Sequence, residues 1–124
     1  MAYYLQRNGT GFSDNTTEAI RGYLRQEGLS PEIIAGDEAY KSPDRGIIIF
    51  EIHSCNQGGQ RLKIVKPKTP RESDIVRGVL TRLTPCKITG EGMQKGARRN
   101  LETDILKAKY LSHLEETRAP AYSH

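Results

Sequence analysis

Hydrophobic positions change their spacing along the chain, and each change marks an element. Tyr3-Tyr4-Leu5-Gln6-Arg7 reads as a short strand, closed by the turn Asn8-Gly9-Thr10-Gly11. Ala19, Ile20, Tyr23 and Leu24 then recur at helical spacing. Asn15 is the expected cap of that helix, with Glu18 reaching back, and Gly28 suits the left-handed residue that ends it. Glu32-Ile33-Ile34-Ala35 reads as a short strand, and residues 36–45 as a polar loop containing Pro43.

The strongest apolar run is Ile47-Ile48-Ile49-Phe50, continuing to Ile52. Three β-branched residues and an aromatic predict a strand buried on both faces. Asn56, Gly58 and Gly59 mark a hairpin turn after it. In Arg61-Leu62-Lys63-Ile64-Val65-Lys66, Leu62 and Ile64 share one face, which leaves Arg61 and Lys63 on the opposite, wet one. Thr69-Pro70-Arg71-Glu72 opens a helix: Thr69 caps, Pro70 takes the first helical position and Glu72 completes the box. Ile75, Val76, Val79, Leu80 and Leu83 form its apolar stripe. Residues 87–99 are rich in Gly and Lys and are expected to be mobile. A last helix is expected from about Asn100 to Glu116, with Leu101, Ile105, Ala108 and Leu111 or Leu114 inward.

These elements predict an α+β fold, (β)αβββα plus a C-terminal helix: a small antiparallel sheet of three to four strands with helices on one face. The expected organisation is one domain over residues 1–116 and a flexible tail over 117–124. Double-stranded-RNA-binding domains and some small RNA-cleaving toxins share the αβββα order. The chain has neither the basic cluster of the former nor the Gly-Ser-His strand start of the latter, so the likeness is one of element order.

Composition changes this picture in one respect. The 124 residues carry a net charge of +4, unevenly placed. Residues 1–60 hold five basic and eight acidic side chains, whereas residues 61–124 hold fourteen basic and seven acidic. From Ile52 to Pro70 there is no acid at all. That asymmetry points to an anionic partner. No apolar run is long enough to cross a membrane, so no membrane partner is expected. The polar N-terminus has no signal-peptide pattern, and Cys55 and Cys86 lie far apart without a Cys-x-x-Cys pair, which predicts free thiols in a cytoplasmic protein.

The leading functional expectation is binding of nucleic-acid backbone, duplex RNA or DNA, without catalysis or cofactor. The binding residues would be Arg61, Lys63, Lys66, Lys68 and Arg71, joined by Lys95, Arg98 and Arg99. A phosphate at the start of the Thr69-capped helix would meet free backbone N–H groups. No aromatic residue lies between Ile52 and Lys109, which argues against base stacking and for backbone or shape recognition. The bland alternative is a strand edge kept soluble by its lysines.

Two other readings remain. One is a protein-interaction or inhibitor module of the kind carried by viruses and mobile elements. It would bind a partner or a second copy through Leu106, Tyr110 and Leu114 on the last helix. The other is a metal-dependent nuclease. Such enzymes often place an acid before a strand that ends in Glu-x-Lys; here Glu51-Ile52-His53 ends the strand, and Asp37 precedes it at a roomier spacing than Asp44. His53 stands where the lysine would be. His53 with Cys55 alone makes no metal site, and Gly90-x-Gly92-x-x-x-Gly96 lacks the ending of a phosphate loop.

Overall fold

A computed structural model describes residues 2–92 and 95–122, with side chains up to residue 110. In chain order the elements are β1 (Ala2–Gln6), α1 (Asp14–Gln26), β2 (Pro31–Ile34), β3 (Asp37–Lys41), β4 (Ile48–Ser54), β5 (Gln60–Val65), α2 (Pro70–Leu83), β6 (Lys87–Gly90) and α3 (Ala97–Tyr122). The strands form one antiparallel sheet in the order β2-β3-β4-β5-β1-β6. The fold is α+β, with six strands where three to four were expected, so the αβββα order does not hold.

The two additional strands have physical reasons. Between β2 and β3, Ala35 and Gly36 have φ of 52° and 85°, the left-handed pair that a two-residue hairpin turn requires. Glycine adopts that conformation freely. Alanine does so at a cost, so Ala35 gave no turn signal and β3 read as loop. The second addition, β6, pairs with the free edge of β1, setting Leu5 against Ile88 and Tyr3 against Gly90. The segment expected to be mobile therefore opens with a strand; Met93 and Gln94 within it lie outside the described residues.

Cross-strand register gives the sheet two distinct faces. Tyr3 pairs with Ile64 and Leu5 with Leu62; Phe50 and Ile52 pair with the same two residues from the other side. All six are buried in one core with Ile20 and Leu24 of α1, Ile75, Val76 and Val79 of α2, and Leu101 and Ile105 of α3. Helices thus cover this face. The alternate positions, Tyr4, Glu51, His53, Arg61 and Lys63, are only half-buried. The expectation that β4 is buried on both faces is corrected accordingly. A register shift at Tyr40/Lys41 lets Ile49 and Phe50 both enter the core in succession, and beyond it β4 alternates.

α1 is capped by Ser13, whose Oγ accepts the Thr16 N–H, and not by Asn15. α2 starts at Pro70 as predicted, with Thr69 Oγ1 accepting the Glu72 N–H, while the Glu72 carboxylate reaches back to the Lys68 N–H, one residue before the position a capping box uses. α3 buries Leu101, Ile105 and Ala108. Its backbone is helical from Ala97 to Tyr122, starting before Asn100 and running past the end expected at Glu116, while the side chains of residues 111–122, Leu111 and Leu114 among them, lie outside the described residues.

The loop after β1 is locked onto the β4–β5 turn. Gly11 N–H donates to the Gly58 carbonyl, and Phe12 and Gln60 exchange backbone bonds. A Cβ on Gly11 would lie 2.5 Å from Gln60 N and 2.6 Å from the Gly59 carbonyl carbon, both backbone atoms with nowhere to go. Gly11→Ala is expected to destabilise the fold by about 1–3 kcal/mol through this overlap. Urea unfolding checks it; an unchanged midpoint would mean that the two segments are not held so closely.

Candidate functional site

The open face gathers its chemistry on β3, β4 and β5. Asp37 is the first residue of β3, fixed by the Ala35-Gly36 turn. Glu51 and His53 project from β4 on the side opposite Phe50 and Ile52, as strand alternation dictates. The register pairs Glu51 with Lys63 and His53 with Arg61, and puts Asp37 next to His53, one step on from the Glu38–Ile52 pair.

The side chains meet accordingly. His53 Nδ1 lies 3.5 Å from Asp37 Oδ2, and Nε2 lies 3.2 Å from Glu51 Oε1. Lys63 Nζ is 3.5 Å from Glu51 Oε2. Each of Asp37, Glu51 and His53 offers an atom within 4.8 Å of the other two, and they are the one such set of three among the described residues. His53 is 21 % exposed and Glu51 22 %, so the cluster is shielded yet reachable from solvent. The Nε2 contact lacks hydrogen-bond geometry, which leaves His53 Nε2 buried and without a hydrogen-bond partner. Two carboxylates and an imidazole, each offering one atom within 4.8 Å of the others, form a donor set that fits Mn²⁺, and Mg²⁺ less closely because of the nitrogen.

Arg61 borders the cluster. Its guanidinium carbon lies 4.6 Å from the Tyr4 ring centre, a cation–π contact that holds the head group over the sheet. Arg61 Nε is also buried without a hydrogen-bond partner. The signal that sequence reasoning missed is cross-strand: the cation absent from the Glu-x-Lys position is carried by the neighbouring strand, as Lys63. Tyr4, which holds Arg61, comes from β1, on the far side of β5 from the cluster.

The other basic residues named from the sequence do not join this face. Lys66 pairs with the buried Asp104 of α3 at 3.8 Å, and Asp104 also accepts from the Tyr3 hydroxyl at 2.5 Å. Burial and the Asp104 carboxylate push the Tyr3 phenol well above its ordinary pKa. Lys68 is exposed, and its backbone N–H goes to Glu72. Arg71 donates to the Glu27 carbonyl at the end of α1. At the start of α2, protein groups thus take the backbone donors of Lys68 and Glu72 that a phosphate would use. Lys95, Arg98 and Arg99 sit at the start of α3, where Arg98 is bonded to the Cys86 carbonyl.

Of the expected partner surface, Leu106 and Tyr110 are exposed, and Leu114 lies outside the described residues. Cys55 and Cys86 are free thiols. Among the described residues no helix is long and apolar enough to cross a membrane. No protein-family model, no curated protein and no solved structure matches this chain.

Proposed function

We propose that the chain is a divalent-metal-dependent phosphodiesterase acting on nucleic acid, with its reaction centre on the open face of the sheet. The observation that carries this reading is the convergence of Asp37, Glu51 and His53 within 4.8 Å, with Lys63 against Glu51 and Arg61 alongside. Asp37, Glu51 and the His53 imidazole would hold the cation, whose chemistry there would be to make a water acidic enough to act as hydroxide. Arg61 and Lys63, beside the cluster, would offset the charge of a phosphodiester as it grows. The oxygen of water would bond to phosphorus as one P–O ester bond breaks, and solvent would take the proton that this water gives up and supply the one that the departing alkoxide gains.

Incubation of labelled single- and double-stranded RNA and DNA with Mn²⁺, with Mg²⁺ or with EDTA tests the proposal. Cleavage is expected with Mn²⁺, more slowly with Mg²⁺, and not with EDTA. Cleavage of equal rate in EDTA, or none under any condition, would reject it.

The alternative, backbone binding without catalysis, is favoured by one observation: Arg61 Nε is buried without a hydrogen-bond partner, on the same face as Lys63, which Glu51 holds. Under that reading, Glu51→Ala frees a cation and tightens binding. Both readings share a further expectation. Arg61→Ala and Lys63→Ala should each lower the slope of log affinity against log salt by about 1, as loss of a phosphate contact does. Filter binding across a salt series measures this. Unchanged slopes would remove both residues from the interface.

A further inference from the structure

A polar cleft of about 360 Å³ opens beside the cluster, lined by Gln6, Ser54, Cys55, Asn56, Gln57 and Arg61. That volume lies in the range from ~300 Å³ upward that small-molecule sites occupy. Its walls come from three places: Gln6 from the end of β1, Ser54 to Gln57 from the end of β4 and the following turn, and Arg61 from β5.

Three of the six lining side chains are primary amides. Among the described residues, the side-chain amides of Gln6, Asn56 and Gln57 make no hydrogen bond within the protein. Each places a donor and an acceptor side by side, and so does the edge of a nucleobase. The backbone beneath them is already fixed. Thr10 Oγ1 donates toward the Gln57 and Gly58 carbonyls, and Gly11 N–H bonds to the Gly58 carbonyl. The backbone of the turn therefore needs no ordering on binding, and only the amide side chains do. Arg61 links the cleft to the cluster, because it lines the first and is the cross-strand partner of His53 in the second.

We infer that this cleft takes an unpaired base of the nucleotide whose phosphate lies at Asp37, Glu51 and His53. Single-stranded nucleic acid is then the substrate class, since a base enters a cleft only once it has left the duplex stack, which also frees its Watson–Crick edge. The inference rests on the open face being the phosphodiesterase surface. It departs from the expectation of duplex recognition drawn from the missing aromatics: recognition here is by hydrogen bonding and not by stacking.

The test is fluorescence anisotropy with labelled homopolymers of A, C and U or T, as RNA and as DNA, alongside an RNA and a DNA duplex. Binding is read in Ca²⁺, with a gel confirming that the strands stay intact. The wild-type chain is expected to bind one base roughly tenfold or more tightly than the others, and more tightly than either duplex. The double variant Asn56→Ala/Gln57→Ala, changed only on an exposed turn, is expected to bring the bases close to parity with its unfolding curve unchanged. Gln6→Ala should weaken the same preference from a second strand. Duplexes bound as well as single strands, a preference that survives the double variant, or no binding to any strand would overturn the inference. Parallel incubations in Mn²⁺ separate it from the reading it rests on. Cleavage without base preference rejects the cleft and keeps the phosphodiesterase; base-selective binding without cleavage does the reverse. The RNA and DNA arms report the sugar.

Discussion

Replacing Glu51 with alanine is expected to lower metal-dependent cleavage by about 10³-fold or more, at least the effect of removing one group that stabilises transition-state charge. Glu51 faces His53 Nε2 and Lys63 Nζ at once, so the substitution removes a ligand and frees the lysine that it holds. The fold should not suffer, because Glu51 is partly exposed and its loss relieves the repulsion between two close carboxylates. A melting temperature equal to or above that of the wild type is expected together with the lost activity. Cleavage within a few-fold of wild type would take Glu51 out of the centre.

The largest effect on stability is expected at the buried pair Arg45–Glu72. The Glu72 side chain is fully buried, and Arg45 reaches it through two bonds of 2.7 Å. Burial pushes the Glu72 carboxyl up, but hydrogen bonds from Arg45, Ser42 and the Lys68 N–H, with the charge of Arg45, outweigh it and hold the group below its ordinary 4.5. Arg45→Ala leaves that charge buried with its main partner gone and is expected to cost about 3 kcal/mol at pH 7. Glu72→Gln, which keeps an oxygen for Lys68, should cost less.

The sign of the pH dependence follows from the lowered value. Stability from Glu72 is complete above 4.5. It declines below 4.5, where the unfolded chain takes up its proton first, and is gone once the pH has fallen through the folded value. Without Arg45 the bonds that hold the Glu72 carboxyl down are weakened, so in Arg45→Ala the loss on acidification should shrink and the gap from wild type narrow as the pH falls. Urea unfolding at pH 7, 5, 4 and 3 measures both effects. Variants within about 0.5 kcal/mol of wild type at pH 7 would show that the pair does not anchor α2.

The sequence carried the local signals well and the long-range ones poorly. Thr69-Pro70-Arg71-Glu72 specified the start of α2 because capping is decided within four residues. The β4–β5 hairpin was legible because Gly58 and Gly59, at φ of 97° and 76°, are turn residues in any context. β3 was hidden behind an alanine in a left-handed conformation, and β6 is a four-residue edge strand that only the free edge of β1 explains. The site shared that fate. Asp37, Glu51 and His53 were each visible as candidates, but their convergence depends on Asp37 being in a strand registered against β4. Of the expected basic ribbon, Arg61 and Lys63 face outward together as strand alternation dictates, whereas Lys66 and Arg71 lie beyond β5 and are held by Asp104 and the Glu27 carbonyl.

The central claim is that Asp37, Glu51 and His53 hold one divalent cation. Titration of Mn²⁺ into the ¹⁵N-labelled chain, followed by paramagnetic broadening of amide signals, tests it most directly. Saturable broadening centred on Asp37, Glu51 and His53, spreading to Arg61 and Lys63 and absent in Glu51→Ala, is expected. Broadening that never saturates, that centres elsewhere on the chain, or that persists in Glu51→Ala would contradict it.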